Sequence, residues 1–231
     1  MSAVPRTERG TRTRARILEV ATEVFAGHGY HDASIVKITE AAGVGQGTFY
    51  LYFSSKQEVF EEVAKDLNSR VRRAMLAASS AAGDRLAAER AGFRAFFRFT
   101  AENPALYRIM RQAEFVAPHV LRLHYERIAA GYVAGLRAAR SRGEIGADVD
   151  PEVAAWALMG VGEMVGMRWV LWGDGARPDG TGPAGGTGAP RAGGPHPDGV
   201  PEAVLDAAML LVERALAPHR TPRPPILGGT P

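Results

Sequence analysis

Apolar residues recur at helical spacing along almost the whole chain. Near the N-terminus the set with three- and four-residue intervals is Ile17, Leu18, Ala21, Val24 and Phe25. This spacing predicts an amphipathic helix that begins near Thr11 or Thr13. No stretch alternates apolar and polar residues as a half-buried strand would. The sequence therefore predicts an all-α fold.

Breaking and capping residues set the limits of the predicted helices. Gly27 and Gly29 end the first helix, Ser34 caps a second and Gly43 breaks it. A third helix is predicted over 46–53, and Ser54 or Ser55 caps a fourth from about Lys56 toward Ala78. Later helices are predicted up to Asn103, from Pro104, over 118–142, over 151–172 and over 201–217.

Glycine and proline make up about half of residues 173–200, which carry few side chains to bury. Such a stretch cannot offset its ordering entropy, so it predicts a mobile loop before the last helix. The predicted organisation is a basic flexible arm (1–12), a helix-turn-helix DNA-binding domain (13–57), a helical ligand-binding and dimerisation domain (58–217) and a disordered tail (218–231).

The charge of the chain is informative only locally. The formal net charge is +3, but five arginines, at positions 6, 9, 12, 14 and 16, crowd the first sixteen residues. Such an arm is either a solvated tail or a source of phosphate contacts. The absence of cysteine excludes disulfides and thiolate metal sites. Because the N-terminus lacks an apolar signal core, a cytoplasmic location is expected.

The segment 153–172 is apolar enough to raise the question of a membrane span. It carries Glu163 near its middle and Arg168 further on, and both charges would be costly in hydrocarbon. We therefore expect a buried core or interface helix and no membrane partner.

Residues 34–56 carry the functional pattern. Two short helices flank a turn in which Gly43 relieves the backbone and Val44 fills the angle between them, while Ala41 and Ala42 allow a close approach. This is the construction of a helix-turn-helix, whose second helix enters the DNA major groove. The expected partner is double-stranded DNA.

The second helix of this motif has one face for the core and one for DNA. Phe49 and Phe53, four residues apart, can face the core. The residues left toward the outside or its edges are Gln46, Thr48, Tyr50, Leu51 and Tyr52. Gln46 can bond a base edge, the hydroxyl groups can bond phosphate, and Lys56 can pair with phosphate. Each residue alone also fits an ordinary surface position, but the set together favours DNA.

The sequence resembles the TetR/AcrR family of bacterial regulators over about residues 13–62. The matching segments are 25–30, 38–44, 47–53 and 55–58, which read FAGHGY, ITEAAGV, GTFYLYF and SKQE. The resemblance implies phosphate contacts from Ser34 and Lys37. It implies base contacts from Gln46, Gly47 and Tyr50, and backbone contacts from Thr48, Tyr52 and Lys56. Gly45 and Thr39 depart from the family pattern, in which a serine-like cap and alanine are usual.

The resemblance also implies a homodimer whose interface is a four-helix arrangement of 151–172 and 201–217. Gly162 and Gly166 lie one turn apart and could admit a partner helix, or else allow close packing within the chain. Dimerisation is favoured independently, because one short recognition helix reads few base pairs and symmetric half-sites add to them.

A pocket for a small-molecule effector would be lined by the middle helices. The candidates by residue type are Phe96, Phe99, Tyr107, Met110, Phe115, Tyr125, Trp156, Met159, Glu163 and Met167. Aromatic and methionine stripes also form plain core. Glu163, inside an apolar helix, must meet Arg168, another helix or a polar ligand group. The segments 102–108 and 113–116 resemble family members that respond to acyl-CoA-like or other lipophilic compounds.

The resemblance implies a ligand-responsive repressor that binds a palindromic operator as a homodimer and is released by a small, lipophilic molecule. Three other functions compete with this one. An enzyme would need a constellation of nucleophile, base or metal ligands, and the histidines show none: His119 and His124, for example, do not share a helix face. No cofactor or metal is expected. A constitutive DNA-binding protein would need no pocket, and an activator would bind its operator in the same way.

Overall fold

The computed structural model describes residues 7–172 and 199–218. In these ranges the chain forms nine α-helices and no strand, which confirms the all-α prediction. The helices are α1 (Glu8–Asp32), α2 (Ile35–Ala42), α3 (Gln46–Tyr50), α4 (Lys56–Ser79), α5 (Arg85–Glu102), α6 (Ala105–Val116), α7 (Pro118–Ser141), α8 (Pro151–Gly166) and α9 (Glu202–Leu216). A π-helical turn, Met167–Leu171, continues α8. Within the described ranges, no helix combines the length and apolarity that a membrane crossing needs.

The first helix begins earlier than predicted. The Thr7 hydroxyl accepts a hydrogen bond from the Gly10 N–H at 3.1 Å, so Thr7 is the N-cap and α1 starts at Glu8. The predicted start near Thr11 or Thr13 is wrong, and residues 8–12 of the predicted flexible arm are helical. This first turn contains no apolar residue, so periodicity could not detect it. Residues 1–6 of the arm lie outside the described residues.

The predicted caps of α2 and α4 are confirmed. The Ser34 hydroxyl accepts from the Lys37 N–H at 3.1 Å, and the Ser55 hydroxyl accepts from the Glu58 N–H at 3.0 Å. Gly43 ends α2 in the left-handed conformation, with φ of 69°, where a side chain would be strained. The third helix ends at Tyr50, earlier than the predicted Phe53, and a turn follows it.

Two clusters of buried apolar side chains hold the helices together. The first joins Phe25, Phe49 and Phe60 of the N-terminal helices to residues of α6 such as Ile109. The second lies among α5, α7, α8 and α9 and includes Leu136. Because the first cluster crosses the predicted boundary at residue 57, the N-terminal helices share their core with α6.

The end of the predicted loop is packed. Gly199 has φ of 81°, and a Cβ there would overlap the Phe97 carbonyl, while Val200 is buried in the second cluster. These two residues therefore belong to the folded part of the chain. The remainder of the predicted loop (173–198) and most of the predicted tail (219–231) lie outside the described residues.

Candidate DNA interface and ligand cavity

Two buried aromatic rings fix the orientation of α3. Phe49 and Phe53 are 0% and 1% exposed, and their ring centroids lie 5.6 Å apart. On the other side of the same short segment, Tyr50 is 54% and Leu51 is 68% exposed, and Gln46 and Gly47 are also exposed. The arrangement leaves one face of α3 open to solvent, as a recognition helix requires.

The remaining residues proposed to contact DNA lie beside this face. Thr48 and Tyr52 are half-buried at its edge. Ser34 and Lys37 lie at the start of α2, where the Ser34 hydroxyl caps the helix. Lys37 is exposed, and its ammonium donates to the Asp32 carbonyl at 3.0 Å.

Lys56 is placed differently from its predicted role. Its ammonium donates to the carbonyls of Tyr30 (2.8 Å), His31 (3.3 Å) and Ala33 (2.9 Å), and it lies 4.4 Å from the centre of the Tyr30 ring. Three N–H donors thus serve three acceptors within the protein. The geometry gives Lys56 a structural function, joining the start of α4 to the end of α1.

The two departures from the family pattern have the expected local consequences. Gly45 precedes α3 and supplies no side-chain hydrogen bond to its N-terminus. The Thr39 hydroxyl donates to the Val36 carbonyl at 2.9 Å, within its own helix. One detail differs from the prediction, because Ala41, which was expected to allow a close approach of the two helices, is exposed.

A cavity of about 60 Å³ lies among α4, α5, α6, α7 and α8. Roughly 10–15 Å³ on this measure holds one water, so the space exceeds a packing defect. Six of the ten predicted ligand residues line it: Phe96, Tyr107, Met110, Tyr125, Met159 and Glu163. The middle helices therefore enclose a cavity, as predicted.

Four of the predicted ligand residues do not line this cavity. Phe99 is buried in the first apolar cluster instead. Phe115 is 84% exposed, and Trp156 is 46% exposed with its ring beside that of Tyr125. Met167 accepts a contact from the Arg111 guanidinium at 3.1 Å. Residue type and helical spacing could not distinguish these positions, because neither states which face a neighbouring helix covers.

Eight further residues line the cavity and were not predicted: Met75, Phe93, Leu106, His124, Ile128, Tyr132, Leu158 and Gly162. One signal was available for part of α7. His124, Ile128 and Tyr132 are spaced four apart and so share a helix face. For the others, only the positions of neighbouring helices decide which side chains reach the cavity.

One end of the cavity is polar. The Tyr125 hydroxyl lies 2.9 Å from both carboxylate oxygens of Glu163, and the Tyr107 hydroxyl donates to the Glu163 main-chain carbonyl at 3.3 Å. Of the alternatives for Glu163, its partner is therefore another helix. Burial, and then the Glu163 charge, raise the pKa of both tyrosines. Both hydroxyls thus stay protonated at neutral pH.

His124 lies at the cavity wall and is held neutral. Its Nδ1 lies 2.6 Å from the Asn68 amide nitrogen, which places an N–H donor on an unprotonated ring nitrogen. Burial, and then the nearby Arg72, lower the pKa of His124 to about 4.

Gly162 and Gly166 of α8 face the interior of the chain. A Cβ on Gly162 would meet the Phe93 ring at 3.1 Å, and a Cβ on Gly166 would overlap the Tyr107 hydroxyl. Of the two alternatives for this pair, close packing within the chain is the one that the structure shows. No group of three or more metal-ligating side chains occurs among residues 7–172 and 199–218.

The comparison with protein families identifies the N-terminal helices. Residues 17–63 match the model of "Bacterial regulatory proteins, tetR family". Over these residues the chain is similar to members of that family. The match covers α2 and α3 completely, with most of α1 and the start of α4. It confirms the resemblance seen in the sequence.

Individual relatives agree with this assignment. An uncharacterized HTH-type transcriptional regulator of Bacillus subtilis, YdgC, is 43% identical over 65 residues, which cover 28% of this chain and 33% of that protein. The HTH-type transcriptional activator FasR of Mycolicibacterium smegmatis is 34% identical over 117 residues, which cover 49% of this chain and 50% of FasR. The chain thus spans one third and one half of the length of these two relatives. Both are named as regulators and not as enzymes, as expected.

The fold extends the likeness to nearly the whole chain. The transcriptional regulator FadR from Bacillus subtilis, solved in complex with stearoyl-CoA, superimposes with a TM-score of 0.67 over 87% of this chain and 98% of FadR. The sequence identity is 19%, so this likeness concerns the fold. It shows that the helices beyond residue 63 are arranged as they are in FadR.

Proposed function

We propose that the chain is a ligand-responsive transcriptional repressor that binds a palindromic operator as a homodimer and is released by a small lipophilic molecule. The observation that carries the proposal is α3, whose inner face is fixed by Phe49 and Phe53 while Gln46, Tyr50 and Leu51 are open to solvent. These positions lie within the segment that matches the tetR family. A repressor of this kind works on bacterial DNA, and so in the cytoplasm.

The dimer is supported by an exposed apolar face on the last two helices. On α8, Val153, Trp156 and Met164 are 69%, 46% and 57% exposed, and on α9 Leu210 and Leu211 are 46% and 63% exposed. Contiguous exposed apolar side chains mark association surfaces. A second copy that covers this face would present two recognition helices about one DNA turn apart, roughly 34–36 Å.

Two helices connect the cavity to the DNA-binding domain. Helix α4 begins beside the helix-turn-helix and contributes Met75 to the cavity. Helix α6 contributes Tyr107 and Met110 to the cavity and holds α1 through Gln112. The Gln112 side chain accepts from the Tyr30 N–H at 2.7 Å and donates to the Phe25 carbonyl at 3.2 Å.

These contacts suggest how a ligand would release DNA. A ligand that displaces α4 or α6 would move α1 and with it α3, so the two recognition helices of the dimer would no longer fit successive major grooves. A coupling free energy of about 1–3 kcal/mol is enough for a useful switch.

The nature of the cavity supports a lipophilic ligand. Phe93, Phe96, Leu106 and Leu158 supply much of its lining. The similarly folded FadR was solved with stearoyl-CoA. We therefore propose an acyl-CoA or a related compound as the effector, and a titration in which no acyl-CoA changes operator affinity would oppose it.

The DNA-reading role is tested by fluorescence anisotropy against DNA from upstream of the protein's own gene, at fixed salt. Tyr50→Ala is expected to abolish sequence-specific binding, whereas Tyr50→Phe, which keeps the ring, separates the hydroxyl contribution from that of the ring. Weak binding that is indifferent to sequence, in the wild type as in the variants, would contradict the proposal.

The dimer is tested by sedimentation. Leu211→Glu places a charge in the exposed face of α8 and α9 and is expected to produce monomers. Phe115→Glu is the matched control, because Phe115 is equally apolar and 84% exposed but lies on α6. Equal dimer stability in the two variants would place the interface elsewhere.

Activation is the second candidate, since FasR is named as an activator and matches half of this chain. A reporter fused to the bound promoter separates the two functions: deletion of a repressor raises transcription, and deletion of an activator lowers it. A protein that binds DNA but is never released by a ligand would instead be constitutive.

A further inference from the structure

A second, larger cavity lies directly beside the first. It measures about 260 Å³ and is bounded by residues of α4, α5 and α7. Four arginines line it, namely Arg72, Arg73, Arg85 and Arg127, against a single acidic residue, Glu89. The first cavity has no arginine in its lining.

One of these arginines is neutralised within the protein. Glu89 is 1% exposed and forms an ion pair with Arg85, one helical turn away on α5. Burial raises the pKa of Glu89, and the Arg85 guanidinium opposes that rise. This pair therefore adds little net charge to the cavity.

The other three arginines are not balanced. Within residues 7–172 and 199–218, no carboxylate lies within 4 Å of Arg72, Arg73 or Arg127 in any of the ion pairs found. Arg72 and Arg73 belong to α4 and Arg127 to α7, so two helices contribute arginines to the lining of the cavity. Guanidinium groups converging on one space favour a carboxylate or phosphate.

The two cavities share part of their lining. Met75, Ile128 and Tyr132 line both spaces. Met75 is unbranched and flexible, so its rotation can open a passage without moving a helix. A ligand that displaces Met75 would reach from an apolar space into a cationic one.

The charges fix which end of a ligand would occupy which cavity. Glu163 and its tyrosine partners lie in the first cavity, so a second anion there would be repelled. The arginines of the second cavity would attract it. The positive field of Arg72 reaches the wall of the first cavity, where it acts on His124.

We propose that the chain binds an amphipathic anion that spans both cavities. Its apolar chain occupies the first cavity, it passes between Met75, Ile128 and Tyr132, and its carboxylate or phosphate pairs with Arg72, Arg73 and Arg127. The proposal deepens the ligand-responsive function proposed above, and binding itself can be measured without DNA.

The experiment is isothermal titration calorimetry of the full chain with four probes: dodecanoate, dodecanoyl-CoA, dodecanol and free CoA. We expect at least one of the two anionic amphiphiles to bind at least about tenfold more tightly than dodecanol and than free CoA. Dodecanoate binding would identify a carboxylate head, and binding by dodecanoyl-CoA alone would identify phosphate.

Charge removal provides the decisive comparison. The double variant Arg72→Ala/Arg127→Ala is expected to lose about tenfold or more in affinity for the anionic probe, and the loss should shrink as salt is raised. Arg137→Ala is the matched control, an exposed arginine of α7 outside both cavities. All three positions are exposed, so folding should be unaffected.

The outcomes separate this inference from the proposed function. Equal affinity of the double variant and the wild type, equal binding of dodecanol, or no binding of either anion would overturn the inference. Loss of affinity in the double variant, with the affinity of Arg137→Ala unchanged, would establish the inference. Specific operator binding that no bound anion changes would leave the site in place and contradict the ligand-released repressor.

Discussion

The buried histidine of α7 makes the stability of the fold depend on pH. Burial and Arg72 lower the pKa of His124 from 6.5 to about 4. An unfolded chain takes up a proton at the ordinary value of about 6.5, whereas the folded chain resists protonation until about pH 4. The contribution of neutral His124 to the free energy of unfolding is therefore complete above pH 6.5, and it is lost as the pH falls from 6.5 through 4.

The size of the effect follows from the two pKa values. Between pH 7 and pH 5 the linkage amounts to a loss of about 2 kcal/mol in the free energy of unfolding. The geometry supports this direction, because the Asn68 amide nitrogen lies 2.6 Å from His124 Nδ1 and would face a second donor if that nitrogen were protonated.

Urea unfolding at a series of pH values measures this term. The protein concentration must be held fixed, because dimerisation also contributes to stability. His124→Gln cannot take up the proton, so its free energy of unfolding should fall by about 2 kcal/mol less than that of the wild type between pH 7 and 5. His119→Gln is the matched control, since the His119 side chain is 65% exposed on the same helix. Parallel curves for the wild type and His124→Gln would refute the reasoning.

Three further perturbations test particular contacts. Lys56→Met should lower the free energy of unfolding by about 2 kcal/mol, because three main-chain carbonyls lose a charged donor. In urea unfolding, an effect no larger than that of Lys37→Met, which removes an exposed lysine that donates to one carbonyl, would contradict this. Gly166→Ala should cost about 1–3 kcal/mol by calorimetry, since the added Cβ overlaps the Tyr107 hydroxyl, and unchanged stability would show that Tyr107 moves freely. Gln112→Ala should reduce the change in operator affinity caused by dodecanoyl-CoA about fivefold, with ligand and DNA affinities retained when measured separately; a full response would exclude this contact from the coupling.

The elements of the fold could be predicted because their causes are local. Apolar spacing marks the helices, and Ser34, Gly43 and Ser55 set ends through hydrogen bonds or backbone conformation within a few residues. The assignment of Phe49 and Phe53 to the core was confirmed for the same reason, since two aromatic residues four apart on a short helix share one face. The start of α1 was not predicted, because its first turn is polar and only the N-cap, Thr7, marks where the helix begins.

The roles of individual side chains depended on contacts between distant segments. Lys56 carries a charge suited to phosphate, yet the end of α1, more than twenty residues away, supplies its three acceptors. Phe115 and Tyr107 are both aromatic residues of α6, but only Tyr107 lines the cavity, whereas Phe115 is exposed. Helical periodicity defines which residues share a face, and the packing of the neighbouring helices decides what that face meets. The sequence by itself therefore determined the helices and the DNA-binding motif, whereas the tertiary structure decided the cavities, the direction of the α8 glycines and the unbalanced arginines.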